Sequence, residues 1–467
     1  MLRRTFAVVV FGVFIVCCQS FRFPFFPGDN APESYDKLCK QCSCLPQDLS
    51  NGVLDCSRRN VENLPGGIIF PTNLNIVIIN RNSLKTINPG TFSSGNSVLH
   101  LDLSSNQIDF ISDGAFKNLE NLKYLDLSDN KIWSLSDQVF EKQSQLEILD
   151  LSNNRIQDFF YSTLESLKNL KSLNLNSNPL FNLQSEIFRY LSNLREVHLE
   201  RTGLRVLPDD LFKFNGKLTI LKLKENLLED VPTTSMETAT KLEHLDLSEN
   251  PIKEIKPNAF KTLESLSVLK MNNMGKLETI GRNAFHGLQN LKELHCSFNS
   301  LLTSVHPDAF RRNDTGKIVH VQKIYMHHNR LETMRYSMLN WVILEDIDVS
   351  GNPWRCDCRL QWLVRIRLPR KVKDTIRCQF PQKFQGRPVS SLQEKDFVCG
   401  LELRVDLIII YALMTFALFV ITLAFCSYLL YKRSFCLKPR AHMQQGYTRI
   451  KSKKHSVDLE WDYSADP

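Results

Sequence analysis

The sequence lacks the local motifs that mark most enzymes. It contains no nucleophile elbow, no phosphate-binding glycine loop and no helix with metal-ligand spacing. His320, His327 and His328 lie close together, but alternation along a strand should turn His327 and His328 to opposite faces. We therefore expect a protein that is not an enzyme, without catalytic residues, metal, cofactor or nucleic acid partner.

Charge is absent from one long segment, and this absence predicts a membrane helix. Residues 407–431 contain no charged side chain, and a helix of this length crosses a hydrocarbon core of roughly 30 Å. Lys432 and Arg433 follow it, so the positive-inside rule places residues 432–467 in the cytoplasm. Residues 1–20 have a basic start, an apolar run and small residues before a cleavage site, which predicts a signal peptide. Together these features predict a single-pass type I protein of the plasma membrane with an extracellular amino terminus.

A repeated motif dominates the rest of the chain. Leu101-Asp-Leu103-Ser-Ser-Asn106 returns after 24 residues as Leu125-Asp-Leu127-Ser-Asp-Asn130 and then continues along the chain, with Thr202 and Met274 at the two defective steps. A fixed period of this length with alternating leucines and a closing Asn is the leucine-rich repeat signature. The pattern predicts an α/β solenoid, a leucine-rich repeat horseshoe of about twelve 24-residue repeats with disulfide caps, plus one transmembrane helix.

The repeat also predicts where each side chain points. The strand leucines should point inward, the Asn amide should satisfy backbone groups where the strand ends, and a later Phe (such as Phe116) should fill the convex side of the core. The polar positions between the leucines should form a continuous concave face, which solenoids generally present to partners.

Cysteines flank the repeats on both sides. Each flank has four, which allows three connectivities, and Cys39-x-x-Cys42 alone could also indicate zinc; the secretory context favours disulfides. The pattern resembles the caps of extracellular leucine-rich repeat proteins of the Slit-like, Toll-like and Nogo-receptor-like kinds, and of transmembrane relatives such as trophoblast glycoprotein. That resemblance implies pairing of the first cysteine with the third and of the second with the fourth. The implied pairs are Cys39–Cys44, Cys42–Cys56, Cys356–Cys378 and Cys358–Cys399.

These observations divide the chain into seven segments. They are a signal peptide (1–20), a linker (21–38), an N-terminal cysteine-rich cap (39–70), the repeats (71–352), a C-terminal cysteine-rich cap (353–400), the transmembrane helix (407–431) and a cytoplasmic tail (432–467).

Two sets of residues are candidate binding sites outside the membrane. From the sixth repeat onward, the concave positions depart from the consensus Asp, and such departures are where specificity for a protein ligand could reside. This candidate patch contains Glu196, His198, Glu200, Lys222, Lys224, Lys270, His295, Tyr325 and His327. The C-terminal cap has a basic cluster, which is either a solvated face or a contact for an anionic glycan or lipid headgroups. The cluster contains Arg365, Arg367, Arg370, Lys371 and Lys373.

Covalent modification and sorting signals complete the candidate sites. Asn313-Asp-Thr is the chain's one N-glycosylation sequon and lies in an inserted loop. Tyr447-Thr-Arg-Ile450 matches a clathrin-adaptor sorting signal, which predicts endosomal cycling. Cys436, just beyond the apolar segment, is a palmitoylation candidate with an idle thiol as the alternative.

Three non-enzymatic functions fit this architecture. The leading interpretation is a cell-surface receptor or adhesion molecule that binds a protein on its concave face. The alternatives are an auxiliary subunit that associates in cis with a channel or receptor, and a decoy or clearance receptor internalised through its tail.

Overall fold

The computed structural model describes residues 38–40, 42, 52–158, 160–366 and 368–399 and a helix at Val405–Phe435. The predicted signal peptide lies outside the described residues. Five predicted site residues also lie outside them: Cys44, Arg367, Cys436, Tyr447 and Ile450. The chain forms two compact units, Met1–Val398 and Cys399–Pro467.

A parallel sheet of thirteen short strands forms the framework of the first unit. The strands are Val53–Asp55, Ile76–Ile78, His100–Asp102, Tyr124–Asp126, Ile148–Asp150, Ser172–Asn174, Glu196–His198, Ile220–Lys222, His244–Asp246, Val268–Lys270, Glu293–His295, Lys323–Tyr325 and Asp346–Asp348. The middle residue of each strand is buried, and the first and third residues project to the other side. This other side, called the outward face below, is the predicted concave surface. The chain is therefore a leucine-rich repeat solenoid, as the 24-residue period predicts.

Short strands, turns and 3₁₀ helices connect the main strands on the opposite side of the core. The short paired strands are Ile68–Ile69 with Phe92–Ser94, Thr86–Ile87 with Phe110–Ile111, and Glu254–Ile255 with Thr279–Ile280 and Ser304–Val305. The 3₁₀ helices within the repeats are Tyr161–Leu164 and Tyr336–Met338.

The closing Asn of each repeat joins neighbouring turns through its buried amide. Asn130 Oδ1 accepts a hydrogen bond from the backbone N–H of Ile108 at 3.0 Å. Its Nδ2 donates to the carbonyls of Leu103 and Leu127, both at 3.1 Å. Because one bond reaches back to the previous turn and another stays in its own turn, the amide satisfies buried backbone groups in both.

The two defective steps keep the core closed by different means. Thr202 donates its hydroxyl to the carbonyl of Leu199 at 3.0 Å, and its backbone N–H donates to Asn226 Oδ1 at 3.1 Å. Met274 is fully buried and donates its N–H to Asn299 Oδ1 at 2.7 Å. The stack therefore passes through both positions without an exposed gap.

Aromatic rings stack along the side of the core opposite the main sheet. Phe92, Phe116 and Phe140 follow one another with ring centroids 6.4 and 6.3 Å apart. Buried Leu164 and Met236 interrupt the row, which resumes after each of them. Offset stacking of this kind adds about 0.5–1.5 kcal/mol per pair beyond the burial of apolar area.

Disulfides hold the caps. Cys42 pairs with Cys56 and Cys356 with Cys378, which are two of the pairs that the resemblance implies. Cys39, Cys358 and Cys399 are also disulfide-bonded. The C-terminal cap contains the helices Trp362–Arg365 and Arg370–Thr375, the strand pair Trp354–Arg355 with Cys378–Phe380, and 3₁₀ turns at Gln382–Phe384, Val389–Ser391 and Glu394–Asp396.

The second unit contains the helix Val405–Phe435. Its segment Ile409–Arg433 is long and apolar enough to cross a membrane, judged by length and composition. The predicted span 407–431 lies inside this helix.

We expect Asn130→Ala to lower the free energy of unfolding by about 3 kcal/mol, because it leaves several buried backbone groups without partners. Chemical unfolding of the full-length protein followed by circular dichroism measures the change. Asn121→Ala is the control, since Asn121 is exposed and makes one hydrogen bond, to the carbonyl of Asn96. Equal losses in the two variants would show that the buried amide does not hold the repeats together.

Candidate recognition surface

The third residues of the main strands form one continuous row across the outward face. Strand pairing aligns them in register, so each lies next to its counterpart in the neighbouring repeat. This central column is Asp55, Ile78, Asp102, Asp126, Asp150, Asn174, His198, Lys222, Asp246, Lys270, His295, Tyr325 and Asp348.

The aspartates of the central column have a structural task. Asp102 Oδ1 accepts a hydrogen bond from the N–H of Ser104 at 2.9 Å, and the same bond recurs from Ser128 to Asp126 at 2.9 Å. Each carboxylate thus caps the backbone just after its strand, as short polar side chains do in turns. The interpretation of these aspartates as scaffold rather than binding site therefore has a physical basis.

At three positions where the column departs from Asp, the previous repeat supplies the missing acceptor. The N–H of Glu200 donates to Asn176 Oδ1 at 2.7 Å. The N–H of Ser297 donates to Asn272 Oδ1 at 2.8 Å, and the N–H of Asn272 donates to Ser248 Oγ at 3.0 Å. This exchange frees His198, Lys270 and His295 from the capping role, and the sequence motif did not reveal it.

The predicted patch lies on five strands of the main sheet and just beyond their ends, and most of its members have polar partners. Lys224 Nζ lies 3.1 Å from Glu249, His295 Nε2 lies 3.4 Å from Glu293, and Tyr325 donates its hydroxyl to Asp346 at 2.7 Å. The remaining polar contacts are His198–Glu196 at 3.8 Å, His327–Asp348 at 3.4 Å and Asn176 Nδ2 to Glu200 at 2.7 Å. In the described part of the chain, Lys222 and Lys270 form no ion pair.

The expectation that His327 and His328 do not converge is wrong. Their ring centroids are 5.4 Å apart, and both rings contact Phe298. The strand ends at Tyr325, and His328 has a positive φ of 55°, so strand alternation no longer governs these two side chains. Phe298, which the sequence analysis did not select, also has a positive φ (62°) and is 49% exposed.

Burial shifts the pKa of three histidines on this face. It lowers the pKa of His198, and the nearby Lys222 lowers it further. Burial also lowers the pKa of His295 and of His100, whose ring stacks on Tyr124 at 4.1 Å. A lowered pKa favours the neutral form of these imidazoles, which can both donate and accept a hydrogen bond.

Two residues of the basic cluster already have hydrogen-bond or ion-pair partners within the C-terminal cap. Arg365 pairs with Glu394. Lys373 Nζ donates to the carbonyl of Val364 at 3.0 Å, and burial lowers the pKa of this lysine. Arg370 and Lys371 are exposed at the start of their helix. The cluster is therefore partly engaged in holding the cap together, and its contact with an anionic glycan stays a prediction.

Two single residues have clear placements. Asn313 is exposed in its loop, where its Nδ2 donates to Asn258 Oδ1 at 3.3 Å, and its glycosylation stays a prediction. Cys296 is fully buried in a strand-leucine position, and burial raises the pKa of its thiol to about 12. This thiol is an inert part of the core, as its position in the repeat predicts.

Comparison with protein families agrees with this architecture. The model described as "Leucine rich repeat" matches residues 72–132, 120–180, 192–252, 217–274 and 240–301, and that described as "Leucine rich repeat C-terminal domain" matches residues 375–400. The chain thus contains leucine-rich repeats followed by a leucine-rich repeat C-terminal domain.

Relatives share parts of this chain. The high affinity nerve growth factor receptor of Mus musculus is 33% identical over 101 residues, which cover 22% of this chain and 12% of the receptor. Matrix-remodeling-associated protein 5 of Homo sapiens is 28% identical over 74 residues, 16% of this chain and 2% of that protein. The chain therefore aligns with only a small part of the length of these relatives.

Solved structures share the fold. A chain in the octameric complex of Latrophilin 3, Unc5D and FLRT2 superposes with a TM-score of 0.53 at 19% identity, covering 75% of this chain and 97% of that one. A chain in the mouse RP105/MD-1 complex gives 0.54 at 21% identity, covering 75% and 54%.

We expect Asp126→Asn to stabilise the protein at pH 7. Burial raises the pKa of Asp126, and Asp150 and Asp102 raise it further, so its ionised form opposes folding above that pKa. Asn keeps the acceptor for Ser128, as Asn174 does for the N–H of Asn176 at 3.1 Å. Thermal unfolding should show a gain that shrinks as pH falls and the native carboxyl becomes protonated. Asp126→Ala, which loses the cap, is the control and should cost about 1 kcal/mol.

Acidification from pH 7.5 to 5 should destabilise the protein, and His198→Gln should reduce that loss. The folded pKa of His198 is lowered, so the unfolded state binds more protons as pH falls below about 6.5. Melting temperatures across this window measure the effect. The control is His320→Gln at an exposed position. An identical pH response in wild type and His198→Gln would contradict the assignment of a buried neutral imidazole.

Proposed function

We propose that this chain is a single-pass type I cell-surface protein that recognises a protein partner, as a receptor or adhesion molecule. The partner binds the outward face of the main sheet between the strands Glu196–His198 and Lys323–Tyr325. The main support for the proposal is that some residues of the central column cap their own turns and others do not. Asp102 and Asp126 cap their own turns, whereas His198, Lys270 and His295 are relieved of that task by polar groups of the previous repeat.

The proposed membrane topology rests on the apolar helix and on the predicted signal peptide. A helix fit to cross a membrane is followed by cationic residues, and the predicted signal peptide places the repeats outside the cell. This is the arrangement of the transmembrane leucine-rich repeat proteins that the sequence resembles. In the tail, Tyr447 and Ile450 would engage a clathrin adaptor for endosomal cycling, and Cys436 would accept palmitate.

Protein complexes among structures of the same fold support a protein as the partner. One is the complex of Latrophilin 3, Unc5D and FLRT2, and another is that of RP105 with MD-1. An interface needs polar groups that fix orientation together with apolar or aromatic anchors. The outward face offers both kinds of group within adjacent repeats, at Lys270, Tyr325 and Phe298.

Proximity labelling with the full-length protein on live, co-cultured cells tests the proposal. Wild type should label one partner protein reproducibly, and replacing Glu196, Tyr325 and His327 by alanine should reduce that labelling about tenfold. A control variant replaces Glu186, Tyr190 and His286, which have the same side-chain types but lie in turns outside the main strands.

The location of the labelled protein separates the alternatives. A partner on neighbouring cells supports recognition in trans, whereas a multi-pass protein of the same membrane supports the auxiliary subunit. Partner-independent uptake that needs only the tail would support clearance. Equal labelling by the face variant and its control would refute the outward face as the binding site.

A further inference from the structure

Two lysines in the middle of the outward face have no counterion. Lys222 and Lys270 lie on either side of Asp246 in the central column, in register with it. Asp246 Oδ1 accepts a hydrogen bond from the N–H of Ser248 at 2.9 Å, and no ion pair joins either lysine to it among the described residues. Lysines of the neighbouring columns differ, since Lys224 pairs with Glu249 and Lys323 with Glu293. The central pair therefore remains available to an incoming anion.

Apolar side chains lie beside the two lysines on the outward face. Ile220 and Val268 begin the strands that end in Lys222 and Lys270, and both side chains are half-buried on the same face. Neighbouring strands are about 4.8 Å apart, so the two lysine backbones are separated by about 10 Å. Two carboxylates of one protein segment can span this distance.

An exposed aromatic ring lies beyond Lys270. Phe298 stacks on His328 with ring centroids 4.8 Å apart, and the His327 ring meets it edge-on at 4.9 Å. Ser297 Oγ lies 3.0 Å from His327 Nδ1, and Asp348 lies 3.4 Å from the same atom, so the His327 ring is held in place.

The backbone conformation makes Phe298 unusual among the repeats. Its position has a positive φ in successive turns, and a bulky side chain there is strained. The equivalent residues elsewhere are polar or glycine: Arg81, Ser105, Asp129, Asn153, Ser177, Arg201, Glu225, Glu249, Asn273, His328 and Gly351. Although the Phe298 ring packs on His327 and His328, it stays 49% exposed, which leaves an apolar surface available for a contact outside the chain.

We infer that Lys222, Lys270 and Phe298 together bind an acidic protein segment. Two of its carboxylates meet the lysines, and an apolar side chain next to them packs on Phe298. The inference rests on the proposed function and adds the chemistry of the partner. A densely sulfated glycan fits less well, because it offers no apolar group to pack on the exposed ring of Phe298. In the other half of the face, Asp102, Asp126 and Asp150 would repel an acidic segment, which restricts it to these repeats.

Selection from a random 12-residue peptide library on the full-length protein in nanodiscs tests this inference. The enriched peptides should contain two acidic residues and an aromatic or large aliphatic residue. Fluorescence polarisation with the synthetic peptides measures affinity. We expect the double variant Lys222→Glu/Lys270→Glu to bind them at least about tenfold more weakly, and Phe298→Ser about tenfold more weakly. Selection on the double variant should enrich basic peptides instead.

The controls match each change. Lys241→Glu/Lys292→Glu reverses two exposed lysines of the same region that lie outside the central column, and Phe181→Ser removes another exposed ring with positive φ. Both controls should retain wild-type affinity, and the melting temperature of every variant checks that it is folded.

The outcomes separate the inference from the proposed function. Enriched peptides without acidic residues, or equal binding by the double variant and its control, overturn the inference and leave protein recognition standing. A heparin oligosaccharide that binds through Lys222 and Lys270 while no acidic peptide does so overturns it in favour of a glycan. The absence of any enriched peptide, together with no partner in proximity labelling, contradicts both.

Discussion

The buried Asn amide is the interaction on which the whole solenoid depends. Each repeat places only a three-residue strand in the sheet, so no repeat can satisfy its own backbone or bury its own leucines. Asn106 and Asn130 solve both problems, because each bonds to carbonyls of its own turn and of the previous one. The side chains of the outward face are then freed from holding the fold, and their chemistry can vary.

That freedom is used in one half of the face. Asp102, Asp126 and Asp150 form a row of like charges. Each accepts a hydrogen bond from the backbone just after its strand, and these bonds offset the electrostatic repulsion. At His198, Lys270 and His295, acceptors from the previous repeat replace those caps, whereas Asp246 and Asp348 keep them. When a residue of the previous repeat accepts the backbone N–H just after a strand, the central column can present another side chain there without the loss of that hydrogen bond. This transfer distinguishes the recognition half from the scaffold half.

The sequence predicted the fold well because spacing alone determines it: the 24-residue period specifies the strands, the Asn amides and the inward leucines. It also predicted that the polar positions between the leucines share one face. It could not reveal that Asn176, Ser248 and Asn272 act as substitute caps, because those contacts join different repeats. The sequence pattern did not identify Phe298 and His328 as site residues, because the direction of their side chains depends on a positive φ beyond the end of the strand. The pairing of Arg365 with Glu394 was equally hidden, because 29 residues separate them.

We infer that folding and partner recognition depend on different residues of the central column. A variant in which the consensus Asp is restored at the divergent positions tests this inference. In a variant with Asp at positions 198, 222, 270 and 295, we expect a protein that still folds, with a lower unfolding midpoint because the aligned aspartates repel one another as Asp102, Asp126 and Asp150 do. We expect binding of the labelled partner to be lost. Retained binding by a folded consensus variant would contradict the account.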